Sequence, residues 1–173
     1  MCKTEKLKQN ALKLQRLYDD LSKSNDITNK DLQRLVELLS VQHFGESFKH
    51  YAYFNPRLKT TGGRYHLNSH DLDFNKLIFE CHGLEEFKKV ILHELCHYHL
   101  HIKGAGYRHC DNDFKVLLKQ TGGSRFAPTL PLKKEVRLKL YTCQQCGQLY
   151  KRQRYLNVKK FGCQCGGRLD LQN

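Results

Sequence analysis

The sequence predicts an α+β protein: helices packed on a small antiparallel sheet, followed by a separate β module. Three observations carry that reading. Residues Phe87 to His109, FKKVILHELCHYHLHIKGAGYRH, have an apolar stripe at helical spacing. Between Phe48 and Glu80 the apolar residues shift towards strand-like alternation. Beyond a Pro-containing break, Phe126 to Pro131, the chain turns strongly basic and gathers four of its cysteines.

Taken in order, Glu5 to Leu21 carries Leu7, Ala11, Leu14, Leu17, Tyr18 and Leu21, an amphipathic helix. Ser22 to Ile27 is a polar break. Thr28 then opens a second helix, with Asp31 three residues on in the capping position. Leu32, Leu35, Val36, Leu38 and Leu39 give it an apolar face, and it ends near Phe44-Gly45. Three strands are expected next, around Tyr51 to Phe54, Arg64 to Asn68 and Asp71 to Asn75, with Thr61-Gly62-Gly63 as a hairpin turn. Gly83 precedes the central helix, which runs without Pro or Gly from Leu84 to Lys103. Gly104 and Gly106 end it and let the chain turn back. Phe114, Leu117 and Leu118 mark a last helix, stopped at Thr121-Gly122-Gly123. The expected organisation is a domain over 1–125, a linker over 126–131 and a module over 132–173.

The central helix carries chemistry. His93-Glu94-Leu95-Cys96-His97 is an H-E-x-x-H pattern. Residues four apart share a helix face, so the two imidazoles can hold one zinc ion. Glu94 is then placed to take a proton from a water on that ion, the chemistry of peptide-bond hydrolysis. A hydrolytic zinc takes three protein ligands. His99, six residues from His93, points off the ligand face; His101, eight along, is about 12 Å of helix rise away. The pattern H-E-x-x-H-x-x-G-x-x-H fails, because Leu100 and Lys103 stand at its Gly and last His. No glutamate follows Glu94 until Glu135. His109 is therefore the candidate third ligand, with Asp111 and Asp113 as alternatives. His66, His70, His82 and His101 are expected at the surface, and Cys96 as a small packing residue.

Composition narrows the function classes. In 173 residues, 30 Lys and Arg face 17 Asp and Glu, a formal charge of +13. Such a balance favours a polyanionic partner, here nucleic acid. No apolar run approaches the roughly 18 residues of a membrane span. The N-terminal MCKTEKLKQN has no apolar signal region, so a cytoplasmic protein is expected. From Leu132 to Asn173 there are ten Lys or Arg and two acids, a net of +8. Lys151, Arg152, Arg154, Lys159 and Lys160 alternate with Tyr150, Tyr155 and Phe161, cations for phosphates beside rings for bases. The competing role for Tyr141 and these rings is the small core of the module. Cys143-x2-Cys146 and Cys163-x-Cys165, sixteen residues apart, have the layout of a zinc ribbon whose second knuckle is one residue short. A segment of about 40 residues needs such a staple.

HELCHYH with the later His109, the stretch FNPRLKTTGGRYHLNSHDLDFN and the cysteine-bearing basic tail together resemble the SprT-like family, related to the Spartan-type zinc metalloproteases. The resemblance covers roughly Asp31 to the end. It implies a zincin-like metalloprotease domain, catalytic zinc at His93, His97 and His109, Glu94 as general base, and an edge strand that binds substrate in extended form. By the same similarity the substrates are proteins bound or crosslinked to DNA, and DNA rather than RNA is the expected partner. One departure is that Cys110 follows His109, where distant relatives have glycine. The rival expectation is a non-catalytic regulator whose zinc sites are structural and which binds nucleic acid.

Overall fold

The structure, a computed structural model, describes residues 3–24, 26–130 and 138–172. The chain divides into two compact units, Met1–Leu132 and Lys133–Asn173.

In the first unit, α1 (Lys3–Lys23) and α2 (Asn29–Phe44) pack together. Asn10 joins them, donating from Nδ2 to the Leu38 carbonyl at 3.0 Å. The capping box at the start of α2 is complete: Asp31 N–H donates to Thr28 Oγ1 at 3.2 Å, and Thr28 N–H to Asp31 Oδ2 at 3.1 Å. Leu32, Leu35, Val36 and Leu39 are fully buried against Phe74, Phe87 and Ile91 in the main core.

The sheet corrects one expectation. Strands β1 (Ala52–Phe54), β2 (Gly63–Tyr65) and β3 (Leu72–Phe74) are ordered β1-β3-β2. β1 runs parallel to β3 and β2 antiparallel to it, so the sheet is mixed rather than antiparallel. Thr61-Gly62-Gly63 is consequently no hairpin turn, since β1 and β2 lie on opposite sides of β3. The tight connection is the one between β2 and β3, where the His66 carbonyl accepts from His70 N–H at 2.8 Å. Alternation along the chain marks strand residues but carries nothing about which strands pair.

A single charge sits in the middle of β3. Asp73 is completely buried and receives Arg64 Nη2 at 2.6 Å, Arg64 Nε at 3.1 Å and Asn55 Nδ2 at 2.7 Å. Burial pushes its carboxyl up, but the hydrogen bonds from Arg64 and Asn55, with His66 Nε2 3.3 Å away, outweigh it and hold the group below its ordinary range.

α3 (Lys76–Ile102) is two helices joined at Gly83, whose φ of 77° and ψ of −178° suit only glycine. The second piece is the helix expected from Leu84. The first, Lys76 to His82, falls where a strand region was expected to run on to Glu80; Asn75 caps it, accepting Leu77 N–H at 3.1 Å. Two turns are too short to show a helical period. α4 (Asn112–Thr121) ends at Gly122, φ 75°. In the stretch expected as a linker, Leu130 is buried in the core of this unit.

The second unit is a three-stranded antiparallel sheet of β4 (Lys139–Cys143), β5 (Leu149–Arg152) and β6 (Leu169–Gln172), ordered β5-β4-β6. Its core is Tyr141, Cys143, Cys163 and Leu169, with Tyr150 and Leu156 packed against them. Lys133, Lys134 and Arg137 lie outside the described residues. No described helix is long and apolar enough to cross a membrane.

Candidate active site

His93 and His97 lie one turn apart on α3, and the turn after Gly104 brings His109 back to face them. The three Nε2 atoms stand 2.9 Å (His93 to His109), 3.1 Å (His93 to His97) and 3.0 Å (His97 to His109) apart. The other ring nitrogens of the first two are held by backbone. His93 Nδ1 lies 2.7 Å from the Ser124 carbonyl and His97 Nδ1 2.7 Å from the Tyr107 carbonyl. A carbonyl only accepts, so in both rings the proton is on Nδ1 and Nε2 presents a lone pair. Burial pushes His97 down to about 4 and His93 below its usual value, which keeps the imidazoles neutral.

Lone pairs aimed at one another repel unless a cation lies between them. A tetrahedral zinc with Zn–N near 2.05 Å sets nitrogens about 3.3 Å apart. The triad fits that ion, and each fixed Nδ1–H···O=C bond is the supporting contact metal-bound histidines use. Phe114 of α4 stacks on His97 with centroids 4.4 Å apart and lies edge-on to His93 at 5.2 Å. Asp111 and Asp113, the alternative ligands, are instead engaged with the loop, accepting Arg108 N–H at 2.8 Å and Gly106 N–H at 3.0 Å.

Glu94 is 7% exposed and faces the sheet. A Cβ on Gly63 would lie 2.9 Å from its Cγ and 3.1 Å from its Oε1. Burial, and then the charge of Asp73, push its carboxyl up to about 8, against a backbone hydrogen bond from Tyr65. Glu94 and the three histidines open into a cleft of about 440 Å³ walled by β2 and by Ser124 to Ala127. β2 is an edge strand of the sheet.

The four clustered cysteines of the second unit also converge. Their sulfurs all lie within 4.8 Å of one another, with Cys143 to Cys165 and Cys146 to Cys163 both at 3.5 Å. Zn–S bonds of 2.3 Å would set them about 3.8 Å apart. The short second knuckle works because Gly166 turns at φ 85° and Gly167 comes close, where a Cβ would sit 2.6 Å from Cys143 Sγ. The Tyr150 hydroxyl, 3.1 Å from Cys163 Sγ, pulls that thiol down to about 6. Lys151, Arg152, Arg154, Lys159 and Lys160 are all exposed. The rings divide: Tyr141 is core and Tyr150 half-buried, whereas Tyr155 and Phe161 are 72% and 52% exposed.

Several features had no signal in the sequence. The carbonyls of Ser124 and Tyr107 are main-chain atoms and leave no mark on residue type. His99, expected only to point off the ligand face, is buried, stacked on Phe44 and 2.8 Å from Ser40 Oγ. His66, His70 and His101, expected at the surface, are half-buried. His66 faces Asp73, while His70 and His101 meet Tyr65.

A family model described as the SprT-like family matches residues 32–137. Curated relatives described as "Protein SprT-like" include three from different genera. The protein from Enterococcus faecalis is 52% identical over 147 residues, covering 84% of this chain and 96% of its own length. That from a Geobacillus species is 50% identical, covering 83% and 95%, and that from Bacillus velezensis 46%, covering 82% and 96%. No solved structure matches significantly.

Proposed function

The chain belongs to the SprT-like family, and from that premise we propose that it is a zinc-dependent metalloprotease with a zincin-like domain, acting in the cytoplasm on proteins associated with DNA. The observation that carries the reading is three Nε2 atoms within 3.1 Å of one another beside a buried carboxylate in an open cleft. Among the described residues this group has three donors and no fourth, as a hydrolytic site requires.

His93, His97 and His109 would hold the zinc, which supplies a Lewis acid for the substrate carbonyl and acidifies water. Glu94 takes the proton of the attacking water and returns it to the leaving amine. Burial holds the Glu94 carboxyl at about 8, and a dication on the three histidines would favour its ionised, basic form. The edge of β2 beside Glu94 offers main-chain groups to an extended substrate segment. Ser124 and Tyr107 hold His93 and His97 in their donor tautomers through their carbonyls.

For DNA association the support is the exposed Lys151, Arg152, Arg154, Lys159 and Lys160, with Tyr155 and Phe161 open for stacking. The four cysteines would hold a second, structural zinc.

The test compares zinc-loaded wild type with Glu94→Gln on a basic DNA-binding protein, with and without single-stranded DNA. Cleavage by wild type alone, increased by DNA, is expected. Equal cleavage by both proteins, or none by wild type while the DNA-bound complex forms, would move the reading to a non-catalytic zinc protein that binds nucleic acid.

A further inference from the structure

The first unit holds a second concentration of histidines that the proposed reaction does not use. The Tyr65 phenol oxygen lies 2.6 Å from His70 Nδ1 and 2.6 Å from His101 Nδ1. His50 joins them: its ring centroid is 5.1 Å from that of His70, which is 5.4 Å from that of His101. In the His93, His97, His109 triad the centroids are 4.8–4.9 Å apart and three nitrogens converge; here His50 Nδ1 lies 3.1 Å from the Tyr98 hydroxyl, and the atoms that converge are the Tyr65 oxygen and the Nδ1 atoms of His70 and His101. Its members come from the chain before β1, from β2, from the β2–β3 turn and from the last turn of α3. All four are half-buried, within reach of solvent. The histidines that face carboxylates are His66 and His99, not these.

The backbone adds an independent sign. His70 has a φ of 60°, the one positive value at a non-glycine residue among those described. Such a conformation costs on the order of 1 kcal/mol and persists where the surroundings impose it, often at a functional site. Here the turn delivers the imidazole to the phenol.

We propose that Tyr65, His70 and His101, with His50 beside them, form a second, non-catalytic site for a divalent ion of the zinc class. Imidazole and phenolate are donors for such ions. Without metal, the phenol donates to one Nδ1 and accepts from the other. When the ion binds, the phenol proton leaves to solvent. The imidazole that carried its proton on Nδ1 carries it on Nε2 instead, freeing the third donor. The donor atoms then spread from 2.6 Å to about 3.3 Å, a movement an exposed turn can supply. The site stands apart from the proteolytic reading, because its test counts ions.

The experiment strips the full chain of metal, titrates it with Zn(II), and counts equivalents bound per chain in wild type, His70→Gly, His101→Ala and Tyr65→Phe. Each variant is expected to bind one equivalent fewer than wild type, or to bind that equivalent at least tenfold more weakly. This holds whatever the triad and the cysteines hold. His70→Gly relieves the positive φ, which offsets the lost bond to Tyr65, so its metal-free Tm should stay within a few degrees of that of wild type, which separates lost ligation from misfolding. Equal zinc content and affinity in wild type and a folded His70→Gly would overturn the site.

Discussion

Gly63→Ala places the catalytic argument under direct strain. The added methyl would sit 2.9 Å from Glu94 Cγ, 3.0 Å from Phe74 Cδ1 and 3.1 Å from Glu94 Oε1. Carbon–carbon contacts settle at 3.5–4.0 Å, so relief requires about 0.6–1 Å of movement. Phe74 is fully buried in the core and cannot retreat. Glu94, at the edge of the cleft, is what gives way. Overpacking of this kind costs about 1–3 kcal/mol. An ångström of misplacement at a reacting group costs on the order of 10²-fold in rate. The metal ligands His93 and His97 keep their anchors on the Ser124 and Tyr107 carbonyls, which Gly63 does not touch. The expected variant is therefore folded, a few degrees lower in Tm, unchanged in zinc content and roughly a hundredfold slower in turnover. The assay is cleavage kinetics on the DNA-bound substrate beside zinc content and thermal melting. Wild-type turnover in a folded, zinc-loaded Gly63→Ala protein would refute the idea that β2 sets the position of Glu94. Lost zinc would show that the strand supports the ligands instead.

Other outcomes follow from the same contacts. Asp73→Asn weakens the bonds from Arg64, which is about half exposed and can turn to water, and should cost about 1.5–3 kcal/mol in urea unfolding at neutral pH. Because the folded Asp73 carboxyl lies below its ordinary 3.8, its contribution is present above that pH and fades as pH falls through the lower folded value, so wild type and variant should converge in acid. Thr28→Ala breaks the capping box and should lose about 1 kcal/mol with zinc content unchanged. Cys143→Ser with Cys146→Ser should remove one zinc equivalent and weaken single-stranded DNA binding in a mobility assay, leaving the His93, His97, His109 ion in place.

What could be read from the sequence was what has a local period or a local chemical cause. His93 and His97 share a face because four residues make about a turn, and Thr28 with Asp31 announces a helix start. Gly83 marked the joint before the central helix because its backbone angles exclude other residues. The sheet order was hidden: β1 pairs with β3 across the whole of β2, and nothing in Ala52 to Phe54 names a partner. The burial of Asp73 was hidden too, since an aspartate in an alternating strand reads as a solvent-facing position. So was the cluster at Tyr65, whose members are spread from residue 50 to residue 101 and meet only through the tertiary fold.

The three nitrogen donors of the triad all fall between residues 93 and 109. A closed loop that short costs little chain entropy, and the contacts are of low sequence separation. A chain segment holding only α3 and the following turn already owns every donor, with none from the cysteine module. An ion held by this triad would tie the turn over 103–111 to α3 and so couple its own binding to local folding. The cysteine group, spread over 143–165, closes a loop of similar length within its own module, so each candidate site is local to its own unit.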